Sequence, residues 1–396
     1  MAPADRRGPA GTVPGVFSPV AALAAAVLST AVGAPAPVAG HHDRPAPTPA
    51  EVVLDRMTLA QQVGQLFMVG TPADRVDARA KQQIRRYHVG NVMLTGRSRG
   101  GPRLPARVSR TMQRQVSKPA TAGVRLLVAT DQEGGLVRVL QGPGFSSIPT
   151  ALEQGTWRPV RLRRGAERWA VELRRAGVNL NLAPVLDTVP GKRAARHNPP
   201  IGAFDREFGY TPDGVARHGV AFVHGMADGG VASAVKHFPG LGRVRGNTDT
   251  SANVVDRTTR RHDPYLKPFK AAVDAGAPFV MMSTARYTRL DPKRPAAFSP
   301  FVVTTVLRGD LGFDGVVISD DLAGAEQVSR IPAGERAARF LAAGGDLVLT
   351  VDPRPLPAMY AAVLQRARTH PRFRAQVEAS ALRVLTAKER QGLLTR

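Results

Sequence analysis

The sequence contains no cysteine, few aromatic residues and far fewer acidic than basic residues. The lack of cysteine in all 396 residues excludes disulfide bonds, thiolate chemistry and a lipid-modified cysteine anchor. Aromatic residues make up only 5% of the chain, and its arginines are scattered rather than gathered in a dense basic run. Proteins that bind nucleic acid concentrate basic residues in a footprint. We therefore expect no nucleic-acid partner.

Motifs for nucleotides and metals are also missing. No glycine-rich phosphate loop of the P-loop or dinucleotide type follows an early apolar segment. His237 with Asp131 and Asp320 is a conceivable set of ligands for a divalent ion. However, no two histidines or carboxylates have the spacing of a zinc motif, and Lys236 would repel the ion. We expect neither a cofactor nor a bound metal.

The charge balance is strongly positive. The 55 lysines and arginines outnumber the 31 aspartates and glutamates, which gives a formal net charge of +24. A net charge of this size attracts polyanions at long range. Because the basic residues are spread along the chain, attraction to an anionic cell wall explains the charge better than recognition of nucleic acid.

The first forty residues have the features of an export signal. Arg6 and Arg7 precede an apolar stretch at 20–32, which small residues and prolines follow. The stretch is too short and too interrupted for a comfortable membrane span. We predict a signal peptide at 1–40, a short linker at 41–50 and a secreted or wall-associated product without stable membrane insertion. A disordered tail rich in alanine and proline is the alternative.

Eight short apolar segments alternate with longer amphipathic segments from residue 51 onward. Each apolar segment is nearly continuous, which indicates a strand buried on both faces of a parallel sheet. The amphipathic segments, several of which end in glycine, indicate helices. This alternation predicts an α/β fold, a single (β/α)₈ TIM barrel over residues 51–396, with a doubly wound open sheet as the alternative. The predicted strands lie at 65–70, 89–96, 125–131, 178–187, 231–238, 278–285, 315–321 and 345–352.

Polar side chains follow four of the predicted strands. They are Asp131, Gln132, Glu133, Asp187, Lys236, His237, Asp320 and Asp321. The carboxyl ends of the strands form the active-site face of a parallel barrel, so these groups predict a site there. Carboxylates together with lysine and histidine, without a cofactor motif, suit glycosidic cleavage. That reaction needs one carboxylate at the anomeric carbon and one proton donor at the leaving oxygen.

Four short motifs stand in order along the chain. They are TDQEGGLV (130–137), NLAPVLD (181–187), KHFPG (236–240) and GFDGVVISDDL (312–322). The ordered set resembles the glycoside hydrolase family 3 β-N-acetylglucosaminidases, which include bacterial enzymes acting on peptidoglycan fragments. The resemblance extends from Leu59 to about Leu349. It implies an exo-acting, retaining hydrolase that removes terminal N-acetylglucosamine from cell-wall muropeptides or related glycosides.

The resemblance also implies roles for individual residues. The first Asp of the S-D-D motif, Asp320, would be the nucleophile. Asp131, Arg206, Lys236 and His237 would bind the sugar. Arg206 lies in DREFG, where the family pattern R-S-F-G is only partly kept. An arginine on an exposed loop, without a role in the site, is the alternative for this residue.

The segment after KHFPG departs from the family pattern. Members commonly continue with H-G-D-T-x-x-D-S-H, whose final Asp-His pair supplies the general acid/base. Here Leu241 replaces the first His, Asn247 replaces the Asp, and Asp249 stands at the position of the catalytic His. We expect Asp249 to be the acid/base, with its pKa raised by burial or by Asp320. Asn247 would support the loop, and His237 is the fallback proton donor.

Two alternatives for the function stay open at this point. One is another family 3 activity, a β-glucosidase or a glycoside phosphorylase. The other is a wall-glycan-binding protein that lacks turnover because the loop is only a structural turn. Three glycines, Gly240, Gly242 and Gly246, favour an enzyme because they leave the loop mobile enough to close over a substrate.

Overall fold

The computed structural model describes residues 46–394. The predicted signal peptide, residues 1–40, lies outside the described residues, as does the first half of the predicted linker at 41–50. The first described helix, α1 (Pro49–Asp55), begins two residues before residue 51, where we place the start of the barrel. Within the described part of the chain, no helix combines the length and the hydropathy that a membrane span needs.

Eight parallel strands form the central sheet. They are β1 (Phe67–Pro72), β2 (Asn91–Thr95), β3 (Leu127–Thr130), β4 (Leu180–Asn181), β5 (Ala232–Phe238), β6 (Phe279–Met282), β7 (Val316–Ser319) and β8 (Val348–Thr350). Neighbouring strands pair in chain order from β1 to β7, and β8 pairs with β1. A parallel bridge between Ile318 and Leu347 completes the circle. The predicted TIM barrel is confirmed, and each predicted strand overlaps an observed one.

Helices surround this sheet. The α-helices are α1 (Pro49–Asp55), α2 (Leu59–Gln65), α3 (Ala78–Arg86), α4 (Arg103–Gln113), α5 (Lys118–Thr121), α6 (Ala151–Gln154), α7 (Pro159–Arg175), α8 (Lys192–Ala195), α9 (Pro212–Asp228), α10 (Lys267–Asp274), α11 (Ala333–Ala342), α12 (Leu356–Thr369) and α13 (Pro371–Arg390). The helix between β6 and β7, Phe301–Asp310, is a π-helix. The amphipathic segments of the sequence, at 107–116, 165–177, 212–230, 266–276, 299–312, 333–345 and 372–394, each overlap one of these helices, but the pattern indicates neither α3 nor α12.

The hydrophobic core fills the barrel and the layer between strands and helices. Strands β3 and β7 are buried along their whole length, because helices cover their outer face and the barrel interior covers the other. In the outer layer, the ring of Trp169 in α7 packs against Phe222 in α9, with centroids 6.1 Å apart. This double coverage explains why the strand segments are continuously apolar in the sequence.

Two small sheets lie beyond the carboxyl ends of the barrel strands. Gln132–Gly134 pairs with Val137–Arg138 in an antiparallel hairpin. Val255–Arg260 pairs with Arg286–Arg289 in a parallel arrangement. The loop at 239–254, which contains Asp249, connects β5 to the second of these sheets. The segments whose motifs indicate a function therefore meet on one face of the barrel.

At the opposite face, α13 contributes a lysine that is completely buried. Lys388 donates from its Nζ to the side-chain oxygen of Gln65, at 2.6 Å, and to the carbonyl of Gly90, at 2.8 Å. Among the described residues no carboxylate pairs with it. Burial lowers the pKa of the Lys388 ammonium well below its usual value of 10.5. The free energy of unfolding should therefore depend on pH through the protonation of this amine.

Stability should increase with pH because the unfolded chain binds a proton at Lys388 more readily than the folded chain does. The increase spans the range from the lowered pKa up to the usual 10.5. One proton gives a slope of at most about 1.4 kcal/mol per pH unit in the free energy of unfolding. Lys388→Met should remove this contribution, and urea denaturation between about pH 7 and pH 9 measures it.

Lys293→Met is a matched control for this experiment. Lys293 is exposed, and its ammonium makes no ion pair or hydrogen bond with the described residues. Its replacement should leave the pH slope as it is in the native chain. Equal slopes in the native chain and in Lys388→Met would show that Lys388 stays charged in the fold, contrary to the pKa that its burial implies.

Candidate active site

A cavity of about 450 Å³ opens at the carboxyl ends of the barrel strands. All seven site residues predicted from the sequence line it, and they come from three strand ends and two loops. These residues are Asp131, Arg206, Lys236, His237, Asn247, Asp249 and Asp320. The volume is in the range of sites for small ligands, which is about 300–1,000 Å³. The structure thus brings together groups that are up to 189 positions apart in the sequence, from 131 to 320.

Beneath the cavity lies a network of buried charges. Glu133 accepts two hydrogen bonds from the Arg206 guanidinium, at 2.7 and 2.8 Å, and its Oε1 lies 2.6 Å from the Lys236 ammonium. The ammonium also donates to Asp131, at 2.6 Å. Burial alone would raise the pKa of Glu133, but Arg206 and Lys236 lower it to about 2. Glu133 is therefore ionised at neutral pH.

The two cations of this network stay charged as well. Burial alone would lower the pKa of Lys236, but the charges of Asp131 and Glu133 raise it above its usual value. Burial alone would also lower the pKa of Arg206, but the negative charge of Glu133 and its hydrogen bonds raise it above its usual value. The side chain of Arg206 is mostly buried, so the alternative of an exposed loop arginine does not hold.

Asp187 orients the histidine of the site. Its carboxylate is completely buried and accepts hydrogen bonds from three N–H groups. These are His237 Nδ1 at 2.7 Å, His237 N at 3.1 Å and Leu241 N at 2.8 Å. Since Nδ1 donates to this carboxylate, the proton of the neutral ring is on Nδ1 and Nε2 is the acceptor. Asp187 also anchors the start of the loop that carries Asp249.

The two aspartates after β7 have different environments. The carboxylate of Asp321 accepts hydrogen bonds from the backbone N–H groups of Ala323, Gly324 and Val351, at 2.9 to 3.0 Å. The carboxylate of Asp320 accepts only one hydrogen bond from the described residues, from Asp321 N at 2.9 Å. Asp321 is thus occupied by the backbone, and Asp320 is the carboxylate available to a ligand in the cavity.

Asp249 faces the same cavity from the loop at 239–254. Loss of hydration, followed by the negative charge of Asp320, raises the pKa of Asp249 to about 6, against the opposing charges of His237 and Arg206. The residue as a whole is exposed, and it contributes to the lining of the cavity. A carboxyl group with this pKa carries a proton in about half of the molecules at pH 6 and in about one tenth of them at pH 7.

Hydrogen bonds hold this loop in place. Asn247 accepts from Asp249 N at 2.9 Å through its side-chain oxygen, which forms a tight turn. The carbonyls of Thr248 and Asp249 accept from the backbone N–H groups of Gln327, at 3.0 Å, and Glu326, at 3.2 Å. The glycines predict a loop that is mobile enough to close. In the structure it already lies against the segment that follows Asp320.

Comparison with known proteins agrees with this geometry. The sequence profile of the glycosyl hydrolase family 3 N-terminal domain matches residues 58–387. The chain belongs to glycosyl hydrolase family 3. The family resemblance seen in the four motifs is therefore confirmed, and with it the prediction of a glycosyl hydrolase.

Relatives in this family carry specific names. A β-hexosaminidase of Stenotrophomonas maltophilia (strain K279a) is 33% identical over 300 residues, which cover 73% of this chain and 84% of the relative. The crystal structure of a β-N-acetylhexosaminidase from Beutenbergia cavernae is 52% identical, with a TM-score of 0.83, and the match covers 84% of this chain and 99% of that chain. A family 3 β-N-acetylglucosaminidase from Paenibacillus sp. is 32% identical, with a TM-score of 0.78 and coverages of 86% and 64%.

Three carboxyl groups near the site have no role predicted from the sequence. Glu133 and Asp187 are among the strand-end groups that predict the site, but their positions alone assign no individual role to either. The third, Glu207, follows Arg206 and has no hydrogen-bond partner at either oxygen within residues 46–394. Burial, and then the charges of Asp205 and Asp187, raise the pKa of Glu207 to about 7. No pattern in the sequence indicates this environment.

No metal site accompanies these groups in the described part of the chain. Within residues 46–394, no group of three or more His, Asp or Glu side chains has the arrangement that could hold a metal ion. The carboxylates of the site are instead placed against Lys236, Arg206, His237 and backbone N–H groups.

Glu133→Gln tests the charge network. The glutamine keeps the shape of the side chain but removes the carboxylate that pairs with Arg206, and it leaves Lys236 paired with Asp131 alone. Removing one partner of a buried ion pair costs about 3–5 kcal/mol. We expect the free energy of unfolding, measured by urea denaturation at neutral pH, to fall by an amount in this range.

Asp228→Asn provides the comparison. Asp228 pairs with Arg163 at 2.5 Å on the surface, where both side chains are substantially exposed. Loss of an exposed pair costs about 1 kcal/mol or less. If Glu133→Gln destabilised the protein no more than Asp228→Asn, the buried network would not be a main contributor to stability.

Proposed function

We propose that this family 3 hydrolase is an exo-acting, retaining β-N-acetylglucosaminidase that acts on cell-wall muropeptides or related glycosides. The observation that carries the proposal is the placement of Asp320 and Asp249 in one cavity, where burial and the charge of Asp320 raise the pKa of Asp249 to about 6. The β-hexosaminidase and β-N-acetylglucosaminidase names of the relatives support the choice of sugar. The cavity volume of about 450 Å³ suits a terminal sugar.

In the first chemical step, Asp320 attacks the anomeric carbon and forms a covalent glycosyl-enzyme. Asp249 donates its proton to the glycosidic oxygen as the bond to the leaving group breaks. In the second step, the ionised Asp249 takes a proton from a water molecule, which attacks the anomeric carbon and releases Asp320. The product keeps the β configuration because the anomeric carbon is inverted twice.

The other residues of the cavity bind the sugar in this mechanism. Asp131 and Lys236 hold each other in place and present a hydrogen-bond acceptor and a donor to sugar hydroxyls. His237 presents Nε2, because Nδ1 is bound to Asp187. Their hydrogen bonds would fix the ring so that the anomeric carbon faces Asp320.

The location of the enzyme is part of the proposal. The features of residues 1–40 support export, and the net charge of +24 supports attraction to an anionic wall. Expression of the full chain in a bacterium, followed by mass analysis of the N-terminus of protein recovered from the medium, tests export. Recovery of only the full-length chain inside the cell would contradict it.

Asp320→Asn should lower turnover by several orders of magnitude, because an amide cannot form the covalent glycosyl-enzyme. Release of nitrophenol from nitrophenyl N-acetyl-β-glucosaminide measures the loss. Proton NMR of the native reaction should show the β-anomer of N-acetylglucosamine first. Asp314→Asn, at an exposed carboxylate just before β7, is the control and should keep native activity. Comparable rates in both variants would exclude Asp320 as the nucleophile.

Asp249→Ala should impair cleavage of a natural disaccharide far more than cleavage of a dinitrophenyl glycoside. A sugar alkoxide needs a proton to leave, whereas dinitrophenolate leaves without one. Azide should restore part of the rate on the dinitrophenyl substrate, because it attacks the glycosyl-enzyme without base assistance. In the native enzyme, cleavage of the disaccharide should decrease as pH rises through the pKa of Asp249, about 6.

Asn247→Ala is the control for the loop. It removes the hydrogen bond to Asp249 N, worth on the order of 1 kcal/mol, and should slow both substrates to a similar extent. A loss in Asp249→Ala that is equal for good and poor leaving groups would assign the acid/base role to another residue, with His237 as the first candidate.

A further inference from the structure

A second cavity, larger than the active-site cavity, lies on the other side of the Asp249 loop. Its volume is about 870 Å³. We call it the arginine cavity, after the arginines in its lining: Arg193, Arg243, Arg245, Arg260 and Arg289. Leu241 lines the active-site cavity, whereas the next four residues, 242–245, line the arginine cavity. One short stretch of the loop therefore separates the two spaces.

The charge of this cavity is strongly one-sided. Its lining contains five arginines and a single carboxylate, Asp263. That carboxylate already pairs with Arg243 at 2.9 Å. The guanidinium groups of the other four arginines make no hydrogen bond or ion pair with any residue in 46–394. By contrast Arg261, beside the cavity, makes two hydrogen bonds of 2.7 Å with Asp310.

Two of these arginines are direct neighbours across a sheet. Arg260 and Arg289 are opposite each other in the register of the parallel pair formed by Val255–Arg260 and Arg286–Arg289. Like charges placed opposite each other in a sheet destabilise it. A negatively charged group bound between them would offset this repulsion. The register of the sheet thus places two positive charges where an anion can contact both.

Contacts within the protein hold one wall of the cavity in place. The guanidinium of Arg243 lies over the ring of Tyr265, 3.4 Å from its centroid, while it pairs with Asp263. Asn198 is buried and donates hydrogen bonds to the carbonyls of Leu241 and Val244, at 2.8 and 2.9 Å. These contacts hold Arg243 and the loop backbone in place, whereas the side chains of the other four arginines are exposed.

We infer that the arginine cavity binds a ligand with two or more oxyanion groups, phosphate or carboxylate. Guanidinium groups match the geometry of both anions because they donate two parallel hydrogen bonds. The four arginines without a partner among residues 46–394 exceed what one monovalent anion would neutralise. The ligand is separate from the sugar that is cleaved, since the loop lies between the two cavities.

Calorimetric titration of the purified protein with inorganic tripolyphosphate and with citrate tests this inference. Both probes are multivalent, and an ionic strength of about 0.15 M suppresses weak long-range attraction. The native protein should bind at least one probe with a stoichiometry of one. The variant with Arg245→Ala, Arg260→Ala and Arg289→Ala should bind it at least about tenfold more weakly, since charge-assisted hydrogen bonds are lost.

A second triple variant controls for net charge. Arg56→Ala, Arg164→Ala and Arg372→Ala removes the same number of charges from exposed positions outside both cavities. Its affinity should stay within about twofold of the native value because these positions contribute only screened attraction. Circular dichroism and thermal melting check that both variants fold.

Two results would overturn the inference. Equal weakening in the two triple variants would show that binding reflects the overall charge of +24 and not the cavity. Absence of binding of either probe to the native protein would show that there is no such site. A preference for tripolyphosphate or for citrate supports the site and identifies phosphate or carboxylate as the favoured group. None of these measurements depends on glycosidase activity.

Discussion

Two cations buried beneath the active-site cavity, Lys236 and Arg206, impose the constraint on which the site depends. An ion removed from water without a partner costs several kcal/mol, so carboxylates must lie next to both cations. Glu133 contacts both of them, and Asp131 contacts Lys236 from the other side. These residues belong to the ends of β3 and β5 and to the segment between α8 and α9. Because Lys236 and Arg206 must each lie next to a carboxylate, these ion pairs hold the ends of β3 and β5 and the segment between α8 and α9 together at the carboxyl face of the barrel.

Most of the fold could be predicted from the sequence because barrel strands are buried on both faces. Segments such as 125–131 and 315–321 are apolar almost without interruption, which few other structures require. Helix α3 lacks such a signal, since only Ala80, Gln83 and Ile84 of its nine residues are buried. Helix α12 follows a proline-rich stretch that indicates a loop. Both helices form because they cover strands, and that contact is visible only in three dimensions.

The candidate site could be predicted in part. Strand ends and family motifs identify side chains that face the cavity, because their positions follow from the barrel itself. The roles of Glu133 and Asp187 depend on partners 73 and 50 positions away, Arg206 and His237, and no local spacing indicates these pairs. No residue in 46–394 donates a hydrogen bond to either side-chain oxygen of Glu207, and burial together with the charges of Asp205 and Asp187 raises its pKa. Contacts between distant segments thus determine the roles that local patterns in the sequence leave unassigned.

The Asp249 loop shows how such contacts can accommodate a departure from the family pattern. When the family pattern H-G-D-T-x-x-D-S-H is aligned with residues 241–249 without a gap, Asp249 takes the place of the final histidine. Arg243 takes the place of the first aspartate. A carboxyl group near Asp320 would repel its charge if both ionised, so one of the pair keeps its proton more strongly. Burial and the charge of Asp320 raise the pKa of Asp249, so Asp249 keeps its proton to a higher pH than a free aspartate does. Arg243 pairs with Asp263 at 2.9 Å, which ties this part of the loop to the segment after the second small sheet's first strand. One loop therefore contributes to both cavities, since Asp249 lines the active-site cavity and Arg243 lines the arginine cavity.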